Sequence, residues 1–184
     1  MSLGPLRENE LKDIDTSLFV GSSRKYMDGI LGTGWAVVDG EGRILGRGKL
    51  TGDLSAQAVE LVALKEALHM AEGKRANINT DSRYGFGVVH NYMVAWSRRG
   101  YVTLGGGHVQ HEAIVKELVE AAKLPLEAAV IKVEAHQKVA NPIELGNQRV
   151  DKTAKEAAAT SPGNQVAAAA IGPKEVNMAD LQRH

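Results

Sequence analysis

Apolar residues come in short runs over the first part of the chain. Residues 18–21 are predicted to end one strand, residues 34–38 form a second, and residues 43–50 form a third. The string Asp39-Gly40-Glu41-Gly42 between the last two runs is typical of a turn. Three strands joined by short connections predict an antiparallel meander.

After the meander the spacing of apolar residues becomes helical. Gly73 is typical of a helix end, and Pro125 closes a later helix. Helices are predicted for residues 55–72, 82–96, 110–123 and 145–160, and two further strands for residues 76–80 and 130–133. The order β-β-β-α-β-α-α-β-α predicts an α/β fold, in which helices flank a five-stranded mixed sheet.

Polar segments flank this periodic part. Residues 1–12 are polar and carry Gly4-Pro5, so we interpret them as a leader or linker. Residues 13–160 are predicted to form one domain. Residues 161–184 begin with Ser161-Pro162-Gly163 and are interpreted as a flexible linker or tail.

Composition narrows the possible functions. The 184 residues carry 22 Lys+Arg and 22 Asp+Glu, so the net charge is zero. A strong nucleic-acid binder usually has a basic excess. The absence of cysteine excludes disulfides and thiolate zinc sites. With no membrane-length apolar run and no secretory signal, we expect an intracellular monomer of unspecified compartment.

Three acidic residues occupy positions that need an explanation. On the wheel for residues 55–72, Lys65 and Glu66 fall on the predicted solvent face, but Glu60 falls on the apolar face. A carboxylate there must be paired, protonated or bound to a metal, and a buried partner is the commoner reason for a lone Glu. Asp81 follows a strand, where it or Ser82 could cap a helix. Asp151 lies early in the last helix and could complement the helix dipole.

The chain resembles the ribonuclease H domain of gammaretroviral reverse transcriptases over about residues 13–160. Several strings in matching order carry the resemblance. They are Ser55-Ala56-Gln57-Ala58-Val59-Glu60, Thr80-Asp81-Ser82-Arg83-Tyr84, Arg98-Arg99-Gly100, His136-Gln137-Lys138 and Gly146-Asn147-Gln148-Arg149-Val150-Asp151. The resemblance implies a ribonuclease H-like fold for this domain.

In that family, four carboxylates hold two Mg²⁺ ions for cleavage of RNA paired with DNA. Glu60, Asp81 and Asp151 match three of these ligands, and His136 matches a mobile histidine. The fourth ligand, an aspartate, precedes the Gly-Ser-Ser at 21–23, where Val20 stands here. The resemblance therefore implies a vestigial metal site that binds metal weakly or not at all, and we expect no cofactor.

Substrate contacts are also expected to be weakened. By resemblance, the candidate nucleic-acid contacts are Ser22, Arg83, Tyr84, Arg98, Arg99 and Asn147. The arginine pair could equally be a solvated helix end. Residues 101–110 carry no lysine or arginine, so any phosphate binding should be weak and salt-dependent. His90, His108 and His111 are expected to be exposed.

These features favour a domesticated domain of retroviral origin that has lost catalysis and serves as an interaction or scaffold module for an unknown protein partner. Retroviral polyproteins place their integrase after this domain, so the tail is expected to lead toward an integrase-like region. Two alternatives remain: a binder of RNA/DNA hybrid that does not cleave, and a weak hybrid nuclease dependent on Mg²⁺ or Mn²⁺.

Overall fold

The strands and helices follow the predicted order. The computed structural model describes residues 6–50, 55–102, 107, 109–134 and 142–159. The strands in these residues are β1 (Thr16–Met27), β2 (Ile30–Asp39), β3 (Ile44–Leu50), β4 (Arg75–Thr80) and β5 (Glu127–Lys132). The helices are α1 (Ala56–Met70), α2 (Arg83–Gly87), α3 (Met93–Arg98), α4 (Glu112–Ala121) and α5 (Pro142–Ala159), and a π-helical turn, Val88–Tyr92, joins α2 to α3. His108, His136 and the tail 161–184 lie outside the described residues.

Strand β1 continues past its predicted end at residue 21 as far as Met27. Asp28 and Gly29 have φ values of 53° and 77°, and Met27 lies opposite Ile30. A two-residue hairpin turn needs positive φ at both central residues, which Asp-Gly tolerates. The turn therefore sets the register of the whole β1–β2 pair.

The mixed sheet has the strand order β3-β2-β1-β4-β5. The first three strands pair antiparallel, as the meander predicts, while β4 runs parallel to both β1 and β5. A parallel pair needs a crossover connection, and α1 supplies the one that leads from the meander to β4. The carboxyl ends of β1, β4 and β5 consequently point the same way.

Helices cover both faces of the sheet. The larger core lies between the sheet and α1, and includes Leu18, Val20 and Trp35. The smaller core lies under α5, where Phe19 packs with Val150 and their neighbours. Side chains alternate between the two faces of a strand, so successive β1 residues enter different cores.

Helix α1 is more deeply buried than the wheel predicts. Lys65 and Glu66 were expected on the solvent face, but each is 1% exposed. Helix α4 packs over that side of α1, and Lys65 Nζ lies 3.2 Å from Glu117 Oε1. The wheel prediction was wrong for these two residues because it treats one helix against a single surface.

The outer edge of β5 is covered by residues ahead of the first strand. Arg7 N donates to Ala128 O at 3.0 Å, and Val130 N donates to Arg7 O at 2.9 Å. The His90 Nε2 atom lies 2.8 Å from Val130 O. His90 is half-buried, so its expected exposure was wrong. These contacts occupy backbone groups that an edge strand would otherwise expose.

His111 is also less exposed than expected. Its Nε2 atom lies 3.2 Å from the Ser55 Oγ atom, which in turn accepts from Ala58 N and caps α1. Burial lowers the pKa of His111. No helix in the described part of the chain has the length and apolar character needed to cross a membrane.

Candidate functional site

Val20 lies in the middle of the sheet, at the last position where β1 pairs with β4. Its register partners are Val37 on β2 and Thr80, the last residue of β4. The Val20 side chain is 2% exposed and belongs to the core under α1. The position therefore holds a packed alkyl group beside the start of the Asp81-Ser82 segment.

Glu60 reaches this segment from α1. The Ser82 Oγ atom donates to Glu60 Oε2 at 2.5 Å and accepts from Gly85 N at 2.8 Å. Ser82 N donates to Thr80 Oγ1 at 3.1 Å. Glu60 thus has the buried partner that is the commoner explanation for a Glu on an apolar face. It is tied to the residue that caps α2.

Negative charge is concentrated around Glu60. Burial raises the pKa of the Glu60 carboxyl, and the charge of Asp81 raises it further, while the Ser82 hydrogen bond acts in the opposite direction. Burial also raises the pKa of the Tyr84 hydroxyl, with a further contribution from Glu60. Ionising Glu60 is therefore less favourable here than ionising an exposed glutamate.

Asp81 is the linker between β4 and α2. It is partly exposed, and the capping bond to Gly85 N comes from Ser82. Of the two capping candidates, the structure therefore selects Ser82. Asp81 is left with its side chain at the carboxyl end of a parallel strand, which is where sheets of this kind place ligands.

Helix α5 brings Asp151 and Asn147 to the other face of β1. A Cβ atom built on Gly21 would lie 3.2 Å from Val150 Cγ1, so the helix and the strand are in close contact there. Asp151 is partly buried. Asn147 is 4% exposed, and its Oδ1 atom is buried with no hydrogen-bond partner among the described residues. Glu60, Asp81 and Asp151 thus come from α1, from the link between β4 and α2, and from α5.

The donor set does not fit a two-metal centre. Within residues 6–50, 55–102, 107, 109–134 and 142–159, no three His, Asp or Glu side chains are placed to hold a metal ion together. Val20 supplies no oxygen, and hard cations such as Mg²⁺ require oxygen ligands. The assignment of Glu60, Asp81 and Asp151 as vestigial ligands stays a prediction, as does the role of His136.

The candidate nucleic-acid contacts are spread over a wide surface. Arg83 is exposed at the first turn of α2, and Arg98 and Arg99 are exposed at the end of α3. The Arg99 Nε atom donates to Val102 O at 3.2 Å. Tyr84 is half-buried beside Glu60, and Ser22 is partly buried on β1. Their role in binding stays a prediction.

Sequence reasoning missed the contact between Glu60 and Ser82. Ser82 was considered only as a helix cap, although the same hydroxyl can accept from a backbone N–H and donate to a carboxylate. The sequence carried only part of the signal: Ser82 opens a helix next to a strand end, but its proximity to Glu60 depends on how α1 packs against α2.

Comparison with known proteins settles the family. The RNase H family model matches residues 16–159. The chain belongs to the RNase H family. The Gag-Pol polyprotein of baboon endogenous virus (strain M7) is 38% identical over 166 residues, which make up 86% of this chain and 10% of the polyprotein. This RNase H domain is therefore of the retroviral Pol type, and the chain spans about a tenth of the length of that relative.

Solved structures confirm the RNase H-like fold. The solution structure of the PFV RNase H domain matches with a TM-score of 0.63 at 17% identity, over 79% of this chain and 95% of that domain. The foamy viral protease-reverse transcriptase in complex with RNA/DNA hybrid matches with a TM-score of 0.66 at 18% identity, over 88% of this chain and 22% of that chain.

Proposed function

We propose that this RNase H domain no longer cleaves RNA/DNA hybrids and instead serves as an interaction module for a protein partner. The observation that carries the proposal is Val20, whose alkyl side chain is packed into the core at the position of a metal ligand. A two-metal nuclease needs both ions to act on the attacking and leaving oxygens. The resemblance assigns residue 20 to an aspartate that binds both ions, so its absence should damage both metal sites and leave the attacking and leaving oxygens unstabilised.

The surroundings of Val20 support this proposal. One oxygen of the Glu60 carboxylate is already engaged, because it accepts a hydrogen bond from Ser82, the cap of α2. Burial raises the pKa of the Glu60 carboxyl, and the charge of Asp81 raises it further, so ionising Glu60 is less favourable than ionising an exposed carboxyl. The site thus performs a structural task in place of a catalytic one.

Val20→Asp is the sharpest test of the proposal. We expect Mg²⁺ or Mn²⁺ to raise the thermal midpoint of this variant and to leave the parent unchanged. Without metal, the buried carboxylate should destabilise the domain by roughly 2–5 kcal/mol. Val20→Asn is the matched control, because it has the same shape as Asp without its charge, and it should show no metal-dependent shift.

Two results would contradict the proposal. Cleavage of RNA/DNA hybrid by the parent chain, lost on Asp81→Asn, would show that the domain is an active nuclease. A Val20→Asp variant that gains no metal-dependent stability over Val20→Asn would show that Glu60, Asp81 and Asp151 do not converge on residue 20.

We also propose that the chain is a domesticated copy, carried by a host protein that joins an NYN domain to a retroviral integrase region. The absence of a carboxylate at residue 20 supports this origin, because a virus that depends on hybrid cleavage could not tolerate the loss of a metal ligand. Sequencing the transcript that encodes the chain would test the origin. A transcript that encodes an intact viral polymerase would contradict it.

Binding of nucleic acid without cleavage is a second candidate function. Arg98 and Arg99 are both exposed at the end of α3, which favours it. The foamy viral relative was solved in complex with RNA/DNA hybrid. Retention of hybrid at low salt with no product formed would support this candidate over a pure protein-interaction role.

A further inference from the structure

One edge of the sheet is open beside the altered site. Strand β4 pairs with β1 only as far as Val20 and Thr80, but β1 continues to Met27. Beyond Val20, β1 pairs only with β2 among the described strands. On the side away from β2, the segment 21–27 therefore pairs with no described strand, and this side is defined here as the β1 edge.

The register shows which backbone groups the β1 edge offers. Met27 and Ile30 flank a two-residue turn, so they form a hydrogen-bonded pair, and such pairs alternate along an antiparallel ladder. The odd-numbered β1 residues thus bond to β2. Ser22, Arg24 and Tyr26 direct their N–H and C=O groups outward, ready for another strand.

Charge identifies the kind of strand that fits. Arg24 and Lys25 are exposed, and neither forms an ion pair with a described residue. They point to opposite faces of the sheet, since side chains alternate along a strand. Two adjacent acidic residues on an added strand would meet both of them. Cross-strand pairs of opposite charge stabilise a sheet.

An apolar side chain completes the pattern. Tyr26 is 72% exposed and lies on the same face as Arg24, two residues further on. If the added strand runs antiparallel to β1, its residue opposite Tyr26 comes first in sequence and should be apolar. The two acidic residues that follow it then lie opposite Lys25 and Arg24. A second copy of the chain fits poorly, because self-pairing about Arg24 would bring like charges together.

The other two edges are less suitable. Arg7 and His90 cover the edge of β5. The β2–β3 ladder shifts register between Val37 and Val38, so the outer strand is irregular. Arg47 on β3 already faces Glu156 at 3.8 Å.

We propose that the β1 edge binds an extended peptide of the pattern apolar-acidic-acidic by adding it as a strand. The proposal deepens the interaction role and rests on it. Main-chain hydrogen bonds to Ser22, Arg24 and Tyr26 supply affinity, and the charges of Arg24 and Lys25 with the Tyr26 ring supply selectivity.

The test is an NMR titration of the full chain with the peptide acetyl-Thr-Val-Leu-Glu-Glu-Val-Thr-amide. Amide hydrogen exchange at Ser22, Arg24 and Tyr26 should slow at least several-fold, with no slowing at Ser23 and Lys25, which already bond to β2. The same peptide with Lys-Lys in place of Glu-Glu should bind at least tenfold more weakly.

Variants distinguish the contribution of backbone hydrogen bonds to peptide binding from the contribution of side-chain charge. Arg24→Pro removes an outward N–H at an edge position that tolerates proline, and it should abolish binding. Arg24→Gln keeps the N–H and should bind several-fold more weakly than the parent. Lys152→Ala removes an exposed charge on α5 and should leave binding unchanged.

Three results would overturn the proposal: no binding at low salt, binding without protection of the three amides, or protection produced only by a single-stranded uridine oligonucleotide. The protection measurement uses the parent chain, so it stands even where Arg24→Pro fails to fold. Hybrid cleavage by the same sample would overturn the proposed loss of catalysis, and it is read independently of the amides.

Discussion

Two helical glycines differ in the space around them. A Cβ atom on Gly146 would overlap the Phe19 ring, whereas a Cβ atom on Gly87 would meet only Tyr92 Cε2 at an ordinary 3.5 Å. Helix α5 approaches β1 so closely because residue 146 has no side chain. Gly146 is therefore one of the glycines that let α5 lie close to the sheet and bring Asp151 and Asn147 beside β1.

Gly146→Ala should destabilise the domain by roughly 1–3 kcal/mol, because the Phe19 ring must move within a packed core. Gly87→Ala is the control and should stabilise by about 0.5–1 kcal/mol, since alanine loses less conformational freedom in a helix. Urea unfolding of both variants measures the difference. Equal effects would mean that α5 is not seated on Phe19.

His111 gives a prediction for pH. Burial lowers its pKa from 6.5, so the folded protein binds fewer protons than the unfolded chain. The stability that the folded state gains from keeping His111 neutral is fully present above pH 6.5. It is lost as the pH falls through the lower pKa of His111 in the folded protein. His111→Asn suits the positive φ of 59° and removes this titration.

The parent should therefore lose stability relative to His111→Asn between pH 7.5 and pH 5, an interval that spans roughly the expected titration. Chemical unfolding at a series of pH values measures the gap. A gap that is constant, or that widens in favour of the parent at low pH, would rule out a lowered pKa in the folded state.

At the scale of elements, residues ahead of β1 complete the sheet. Leu6 packs against the larger core, Arg7 bridges to β5, and Leu11 N donates to Asn77 Oδ1 at 2.8 Å. Part of the predicted leader 1–12 thus contacts the domain. These contacts lie outside residues 16–159, which the family model matches.

A chain that begins at Asp13 should be less stable by about 1–3 kcal/mol. It loses several hydrogen bonds worth roughly 1 kcal/mol each, and this loss is partly offset because the segment no longer has to be ordered on folding. Arg7→Ala removes only an exposed ion pair with Glu127, and it should cost about 0–1 kcal/mol. Thermal and urea unfolding measure both. A truncation no worse than Arg7→Ala would show that the segment is not docked.

Sequence periodicity predicted the elements better than their surroundings. The order of the elements along the chain, and the approximate extent of α1, followed from apolar spacing and from the Gly73 stop. The same spacing could not show that Lys65 and Glu66 are buried or that Lys65 meets Glu117 of α4, since that depends on residues far along the chain. It also gave one helix for 82–96, where the structure has a π-helical turn at Val88–Tyr92.

The sequence also predicted only part of the candidate site. Local pattern placed Asp81 just after a strand, as the structure has it, but it ended the first strand at residue 21, whereas β1 continues to Met27 and Val20 lies inside it. The hydrogen bond from Ser82 to Glu60 joins residues 22 positions apart, so only the packing of α1 against α2 reveals it. His136 lies outside the described residues, and its role stays a prediction.

At the scale of the whole molecule, charge balance limits nucleic-acid binding. The net charge is zero, and the exposed arginines at residues 98 and 99 form a small basic patch. Each phosphate contact adds about −0.9 to the slope of log affinity against log salt for duplex DNA. A patch of two arginines therefore gives a shallow slope and weak affinity.

We expect RNA/DNA hybrid to bind only at low salt, and the double variant Arg98→Ala/Arg99→Ala to reduce the salt slope by about 2. Lys152→Ala with Lys155→Ala removes two exposed charges from α5 and should change the slope less. Fluorescence anisotropy at several salt concentrations measures both. Tight binding that resists physiological salt would show a nucleic-acid interface beyond this patch.

The bond between Glu60 and Ser82 also bears on how inactive relatives evolve. Both residues contribute to holding α2 against α1, so losing either would weaken folding even in a chain that cleaves nothing. Selection for a stable fold can then preserve two motif residues after selection for catalysis has ended. Under the proposed loss of catalysis, counting surviving acids would overestimate the number of working nucleases among related chains, and residue 20 would be the more discriminating position.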